Sequence, residues 1–125
     1  MLRFLLIAAG AALGANARYL VSVWAGGRFG VGFPFGTLIV NVTGSLLLGF
    51  LLSLTAERLL SSPEMRLFLT VGFLGSYTTF STYAYESLIL IRSGNVLLGV
   101  TYIVANTLIG LVFALLGIWL ARLVS

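Results

Sequence analysis

Four long apolar runs, joined by short polar or glycine-rich connections, set the pattern of the chain. They cover roughly residues 4–24, 37–56, 65–91 and 97–121. Each supplies the about 20 apolar helical residues that a hydrocarbon core of about 30 Å requires. The connections are short. Residues 25–36 are rich in glycine and carry Pro34, 57–64 hold Pro63 and two serines, and 92–95 contain the turn signal Ser93-Gly94-Asn95. The first run has a feature of a secretory signal, because Ala15-Asn16-Ala17 looks like a cleavage site. The apolar sequence continues past it through Tyr19 to Trp24, which predicts a retained span. The expected architecture is an all-α integral membrane protein, a single four-span membrane domain over residues 1–125.

The third run is longer than one straight crossing needs. Within it, Gly72-Phe73-Leu74-Gly75-Ser76-Tyr77-Thr78-Thr79-Phe80-Ser81-Thr82-Tyr83 combines glycines, hydroxyl side chains and aromatic rings without a charge. This composition predicts a broken third helix, interrupted near residues 75–79. Backbone groups that leave a helix at membrane depth need protein partners, since the hydrocarbon core offers no water.

The polar positions recur at four-residue intervals and so fall on single helix faces. In the first span Gly10, Gly14 and Arg18 share a face. Gly10-x-x-x-Gly14 is expected to admit a close helix neighbour. Arg18 has two readings: it faces a polar cavity or carboxylate, or it reaches out to the membrane interface. In the second span Thr37, Asn41 and Ser45 form a polar stripe, and Gly44 and Gly49 permit close packing. Asn41 is expected either to bond across helices or to donate its amide to an anion. In the fourth span Tyr102, Asn106 and Gly110 share a face that Gly99, Phe113 and Gly117 extend. After the break, Thr79, Thr82 and Glu86 lie on one face and Phe80, Tyr83 and Ser87 on a neighbouring one. Glu86 is the only carboxylate inside a span, and Arg18 is a candidate partner in a pair that would be structural.

Composition removes most alternatives. Of 125 residues, 60% are hydrophobic and only 8% charged, and the mean hydropathy is +1.14. A soluble domain of this size needs more charge to cover its surface. There is no histidine and no cysteine, so disulfides, thiolate metal sites and the usual general base are excluded. No nucleophile, base and orienting group come together, and the chain is not expected to be an enzyme. The net charge of +4 is spread along the chain, which argues against nucleic acid as a partner. With four spans both termini lie on one side, together with Arg3, Arg58, Arg66 and Arg122. The other side has Arg28 and Arg92, with Arg18 near that end of its span. The bias is weak under the positive-inside rule. Two orientations stay open: termini in the cytoplasm, or insertion both ways with antiparallel pairing.

Polar stripes on three spans make transport the default function. A small antiparallel multidrug transporter has similar length, but its chemistry needs a carboxylate in the first span, where this chain has Arg18. A non-conducting scaffold or a pairing subunit of a heteromeric channel is the other alternative.

The residues Gly36-Thr37-Leu38-Ile39-Val40-Asn41, Gly72-Phe73-Leu74-Gly75 and Thr78-Thr79-Phe80-Ser81-Thr82, with Arg18-Tyr19 and Glu86, resemble the Fluc/CrcB family of fluoride channels. The resemblance implies an antiparallel dual-topology homodimer in a prokaryotic plasma or inner membrane, exporting cytoplasmic fluoride passively through two pores. It implies a structural sodium ion held by the carbonyls of Gly75 and Thr78 of both subunits. It implies a fluoride pathway along Asn41, Phe80, Ser81, Thr82, Tyr83, Tyr102 and Asn106, supported by Thr37, Arg18 and Glu86. The chain departs from the family pattern at Ser76, at Tyr83 where phenylalanine is usual, and at Gly110 where a hydroxyl is usual. Fluoride is small and strongly hydrated, so its path must supply hydrogen-bond donors. Ring edges carry partial positive charge and stabilise an anion without trapping it.

Overall fold

The computed structural model describes residues 1–56 and 62–124. Glu57 and Arg58, the latter counted in the charge comparison, lie outside the described residues. Helices make up the described chain, without a strand among the described residues. Helix α1 spans Leu2–Phe29 and α2 spans Phe35–Ala56. A continuous helical run over residues 63–77 follows: a turn α3 (Pro63–Arg66), a π-helical stretch Leu67–Leu74 and a last turn α4 (Gly75–Tyr77). Helix α5 covers Phe80–Arg92 and α6 covers Val96–Val124.

Three of these, α1, the Phe35–Leu54 part of α2, and α6, are each long and apolar enough to cross a membrane. The 28 residues of α1 extend over about 42 Å at 1.5 Å per residue. Both its ends therefore pass the hydrocarbon core of about 30 Å and put Arg3 and Arg28 at the interfaces. The chain is a multi-pass membrane protein. Gly30 ends α1 with φ 80° and donates its amide to Gly26 O, and Gly94 turns the chain at φ 91° after α5. Both positive angles favour glycine over any residue with a Cβ.

The segments pack as two sub-assemblies. Residues 67–77 lie along α1, whereas α5 lies along α6, and α6 in turn packs along α2. The chain between Pro63 and Arg92 thus changes partner half-way. The change coincides with the two non-helical residues, Thr78 (φ −86°, ψ 158°) and Thr79 (φ −151°, ψ 122°). A small core of Val40, Leu74 and Tyr77 sits next to this point and joins α2 to both α4 and the π-helical stretch.

Glycines make the closest seams. A Cβ on Gly10 or Gly14 would strike the backbone of Phe68 and Phe73, and one on Gly72 would lie 2.8 Å from Ile7 O and 3.0 Å from Gly10 Cα. The Gly10-x-x-x-Gly14 face is a packing face. The α2–α6 seam works the same way, with Gly49 against Ala114 O and Gly117 against Leu46 O. Gly44 meets the Thr78 side chain. In lipid, where apolar burial drives helices together weakly, such close backbone approach supplies the van der Waals attraction.

Gly14→Val is expected to lower the unfolding midpoint of the protein in detergent, because the opposing group is backbone and cannot yield; overpacking of this kind costs about 3 kcal/mol. Gly27→Ala, with nothing within 4 Å of the new Cβ, is expected to leave the midpoint unchanged or raise it. Equal midpoints for the two variants would overturn the assignment of the α1 seam.

Candidate functional site

The site forms where α2, α6 and the interrupted segment meet. In an unbroken helix the Thr79 amide would bond Gly75 O, four residues back. It donates instead to Asn41 Oδ1 at 2.9 Å, while Asn41 Nδ2 donates to Thr79 O at 3.0 Å. The carboxamide thus pairs with Thr79 as a neighbouring peptide would in a sheet, satisfying both backbone groups of a buried residue. The second amide hydrogen of Asn41 goes to Asn106 Oδ1 at 3.1 Å. Asn106 Nδ2 donates to Tyr102 O, one turn back on α6.

Thr79 also caps α5. Its Oγ1 accepts from the Thr82 amide at 3.2 Å and donates to Thr82 Oγ1 at 3.0 Å, with Ser81 Oγ at 3.4 Å. A threonine cap of this kind contributes about 1 kcal/mol. On the other side of the interruption, the Thr78 amide and hydroxyl both donate to Leu74 O. Gly75 O has lost its helical donor to Asn41.

One turn towards the 30–34 loop lies the carboxylate. Tyr102, fully buried, donates its phenol to Glu86 Oε2 at 2.6 Å, and the Thr37 hydroxyl donates to Glu86 Oε1 at 3.1 Å. This corrects the expected pairing of Glu86 with Arg18. Glu86 sits on α5, which packs on α6, whereas Arg18 is on α1, whose main neighbours are α2 and residues 67–77. Two hydroxyls on α2 and α6 are the groups that geometry brings to the carboxylate.

Donor bookkeeping divides the polar groups in two. Thr37, Tyr102 and both amide hydrogens of Asn41 are committed within the chain. Ser45 bonds its own helix at Asn41 O. The Tyr83 phenol has no acceptor among the described residues, whereas the Asn106 amide serves both the carbonyl and the phenol of Tyr102, and the exposed Ser81 hydroxyl keeps only a long 3.4 Å contact to Thr79 Oγ1. Phe80, next to them, is 78% exposed. Its ring lies 5.5 Å from that of Tyr83, which lies 5.7 Å from that of Tyr102. A groove of about 300 Å³ runs alongside, bounded by Asn41, Ser45, Gly75, Thr78, Thr79 and Phe80 among others.

The CrcB-like protein, Camphor Resistance (CrcB), family model matches residues 5–118. The chain belongs to the CrcB family. It is 47% identical to a fluoride-specific ion channel of Chloroflexus aurantiacus over 122 residues, covering 98% of this chain and 97% of the relative. It is 43% identical over 123 residues to a protein of the same name from Clostridium perfringens, covering 98% and 96%. A namesake from Rhizobium meliloti is 45% identical over 122 residues, covering 98% of each. The relatives bear the name of a channel, a function that is not enzymatic, and are bacterial, as befits a multi-pass protein of a prokaryotic membrane.

Of the positions singled out in the sequence, the CrcB-family chain brings Asn41, Asn106, Tyr102, Thr37 and Glu86 into one hydrogen-bonded chain. Phe80 and Tyr83 flank it. Gly75 and Thr78 border the groove, and Arg18 stands apart. Gly110 lies open: a Cβ there would meet only Ser45 Oγ, at 3.7 Å. Thr79 was not picked out as a site residue, though it is the keystone of the interruption. The available signal was a threonine directly before a helical run, a residue type favoured at the N-cap.

Asn41→Leu is expected to leave the Thr79 amide and carbonyl without partners and to destabilise the fold by about 3 kcal/mol, with faster hydrogen exchange at the Thr79 amide. Ser45→Ala, which removes only a bond within one helix, should shift neither. Unchanged exchange at Thr79 in the leucine variant would refute the clamp.

Proposed function

We propose that this protein is a fluoride-selective channel that passively exports cytoplasmic fluoride. The observation that carries the reading is its near-full-length similarity to proteins named fluoride-specific ion channels. The donor inventory supports it. A path for a strongly hydrated anion needs uncharged donors that are not already spent. The Tyr83 phenol answers that need, beside the rings of Phe80 and Tyr83, and the exposed Ser81 hydroxyl, held only by a long 3.4 Å contact to Thr79 Oγ1, is the next available donor. Asn41 and Tyr102, whose donors are committed inside the chain, line or brace the path, and Thr82 closes the α5 cap beside it. Thr37 and Glu86 hold Tyr102 in place. Arg18 adds positive potential from α1.

The working unit in this reading is an antiparallel homodimer with two pores. A single copy leaves the groove at the interruption uncovered, with Asn41, Ser45, Thr78 and Thr79 on its walls. Hydrocarbon is a poor solvent for such groups, so a second copy is the natural cover. The weak arginine bias between the two sides permits insertion both ways. The segment from Pro63 to Arg92 is then a third, broken span.

The family's structural sodium is compatible with the donor set. No group of three His, Cys, Asp or Glu that could hold a metal ion occurs among the described residues, so a cation here would rely on neutral oxygens. Gly75 O is freed from its helical donor, and Gly75 and Thr78 border one groove. Carbonyls from these residues in two copies make an all-oxygen cage suited to a hard cation. When bound, the ion would supply positive charge between two anion paths.

Purified protein in liposomes should release fluoride and retain chloride. Phe80→Ile should lower fluoride release sharply with the dimer intact, and Tyr83→Phe should change it less than about tenfold, since one uncharged hydrogen bond contributes about 1 kcal/mol. A folded dimer that releases no more fluoride than empty vesicles would sink the channel reading.

Depleting sodium during purification should lower the dimer's unfolding midpoint, with recovery on adding sodium and none on adding choline. A midpoint indifferent to sodium would remove the ion from the proposal.

A further inference from the structure

Six ring contacts link seven aromatic side chains into one continuous path from the interruption to the end of α1. Phe80 meets Tyr83, Tyr83 meets Tyr102, and Tyr102 meets Phe33. Phe33 meets Phe35 at 4.7 Å, Phe35 meets Phe29 at 5.1 Å, and Phe29 meets Trp24 at 5.7 Å. Phe33 is the one member contributed by the loop between α1 and α2, and it is the link on which continuity depends.

Its contact is specific in geometry. The Phe33 and Tyr102 rings lie 5.4 Å apart at 87°, an edge-to-face pair. Tyr83 holds Tyr102 from α5 at 5.7 Å and 52°. Tyr102 is thus gripped by one ring from the loop and one from α5, and the grip aims its single O–H at Glu86, 2.6 Å away. The space around the loop wall is not otherwise filled. Cavities of about 190 Å³ each flank the loop, and Glu86 and Pro34 line both. Phe33 lines the one that also reaches Thr37. Shortening Phe33 would merge its volume with that cavity and free one wall of the Tyr102 ring.

We infer that Phe33 is a positioning residue: it holds the Tyr102 phenol on Glu86, and so fixes the end of the aromatic path next to the anion route. The role in conduction rests on the channel reading; the coupling of Phe33 to the Tyr102 hydroxyl does not.

The test is a double-mutant cycle of Phe33→Ala and Tyr102→Phe in the full-length protein, read in two ways. In liposomes, each single variant is expected to lower fluoride release about tenfold, the middle of the range for coupled contacts. The double variant is expected to match the worse single variant, because the hydroxyl that Phe33 positions is already gone. In detergent, the unfolding midpoint should show the same non-additivity, and this needs no conduction. Phe33→Tyr, which retains the ring, should behave as the unmutated protein in both. If Phe33→Ala does not fold, Phe33→Leu takes its place in the cycle, keeping bulk but losing the flat edge. Additive losses in both readouts, or a Phe33 variant indistinguishable from the unmutated protein, overturn the inference. An unmutated protein that releases no fluoride fails the channel reading alone, and the cycle in detergent then decides the coupling.

Discussion

A helix that stops and restarts within an apolar environment must account for every amide and carbonyl it releases. At Thr79 a single side chain takes both the amide and the carbonyl. Asn41 offers a donor and an acceptor in the arrangement of a peptide group, and Thr79 takes both. The commitment has consequences along the chain. With its two amide hydrogens spent, Asn41 needs Asn106 as acceptor, and Asn106 in turn bonds the Tyr102 carbonyl. The register of α2 against α6 is therefore tied to the interruption. Glycines at Gly49 and Gly117 let the two backbones come close enough for the amides to meet.

The interruption also solves a packing conflict. Residues 67–77 follow α1, drawn in by Gly10, Gly14 and Gly72, while α5 follows α6. One straight helix has a single direction and cannot lie along both. Two extended residues redirect the chain between its two neighbours. The π-helical stretch that precedes them is a rare geometry that tends to accompany functional sites. Thr79 then restarts the helix as its own cap, so the redirection costs no unsatisfied α5 amide at that position.

The apolar spans and glycine faces were legible in the sequence because each depends on one helix and its period. Gly10 and Gly14 share a face whatever they meet. The stripe of Thr37, Asn41 and Ser45 was legible for the same reason, but its partners were not. Ser45 bonds its own helix, Asn41 clamps a backbone, and Thr37 reaches a carboxylate. Those outcomes depend on the direction in which α5 leaves Thr79, which no periodicity contains. The Arg18–Glu86 pair does not form for the same reason: charge complementarity does not specify which helices are neighbours, and α5 packs on α6 while α1 packs on α2 and residues 67–77. Thr79 was overlooked because a threonine among threonines gives a weak local signal, and its importance comes from Asn41, 38 residues earlier in the chain.

The position of the one interior carboxylate bears on how an anion passes such a chain. Glu86 lies six residues beyond Phe80 on α5, a rise of about 9 Å. Arg18, on α1, is not its partner. Instead the hydroxyls of Tyr102 and Thr37 each hold one of its oxygens. Such charge-assisted bonds are short and strong, and they fix the oxygens on the side of α2 and α6. The uncommitted Tyr83 phenol and the loosely held Ser81 hydroxyl belong to α5 and lie closer to Phe80 in sequence. The arrangement keeps the groups that hold the carboxylate, on α2 and α6, apart from the Tyr83 phenol on α5.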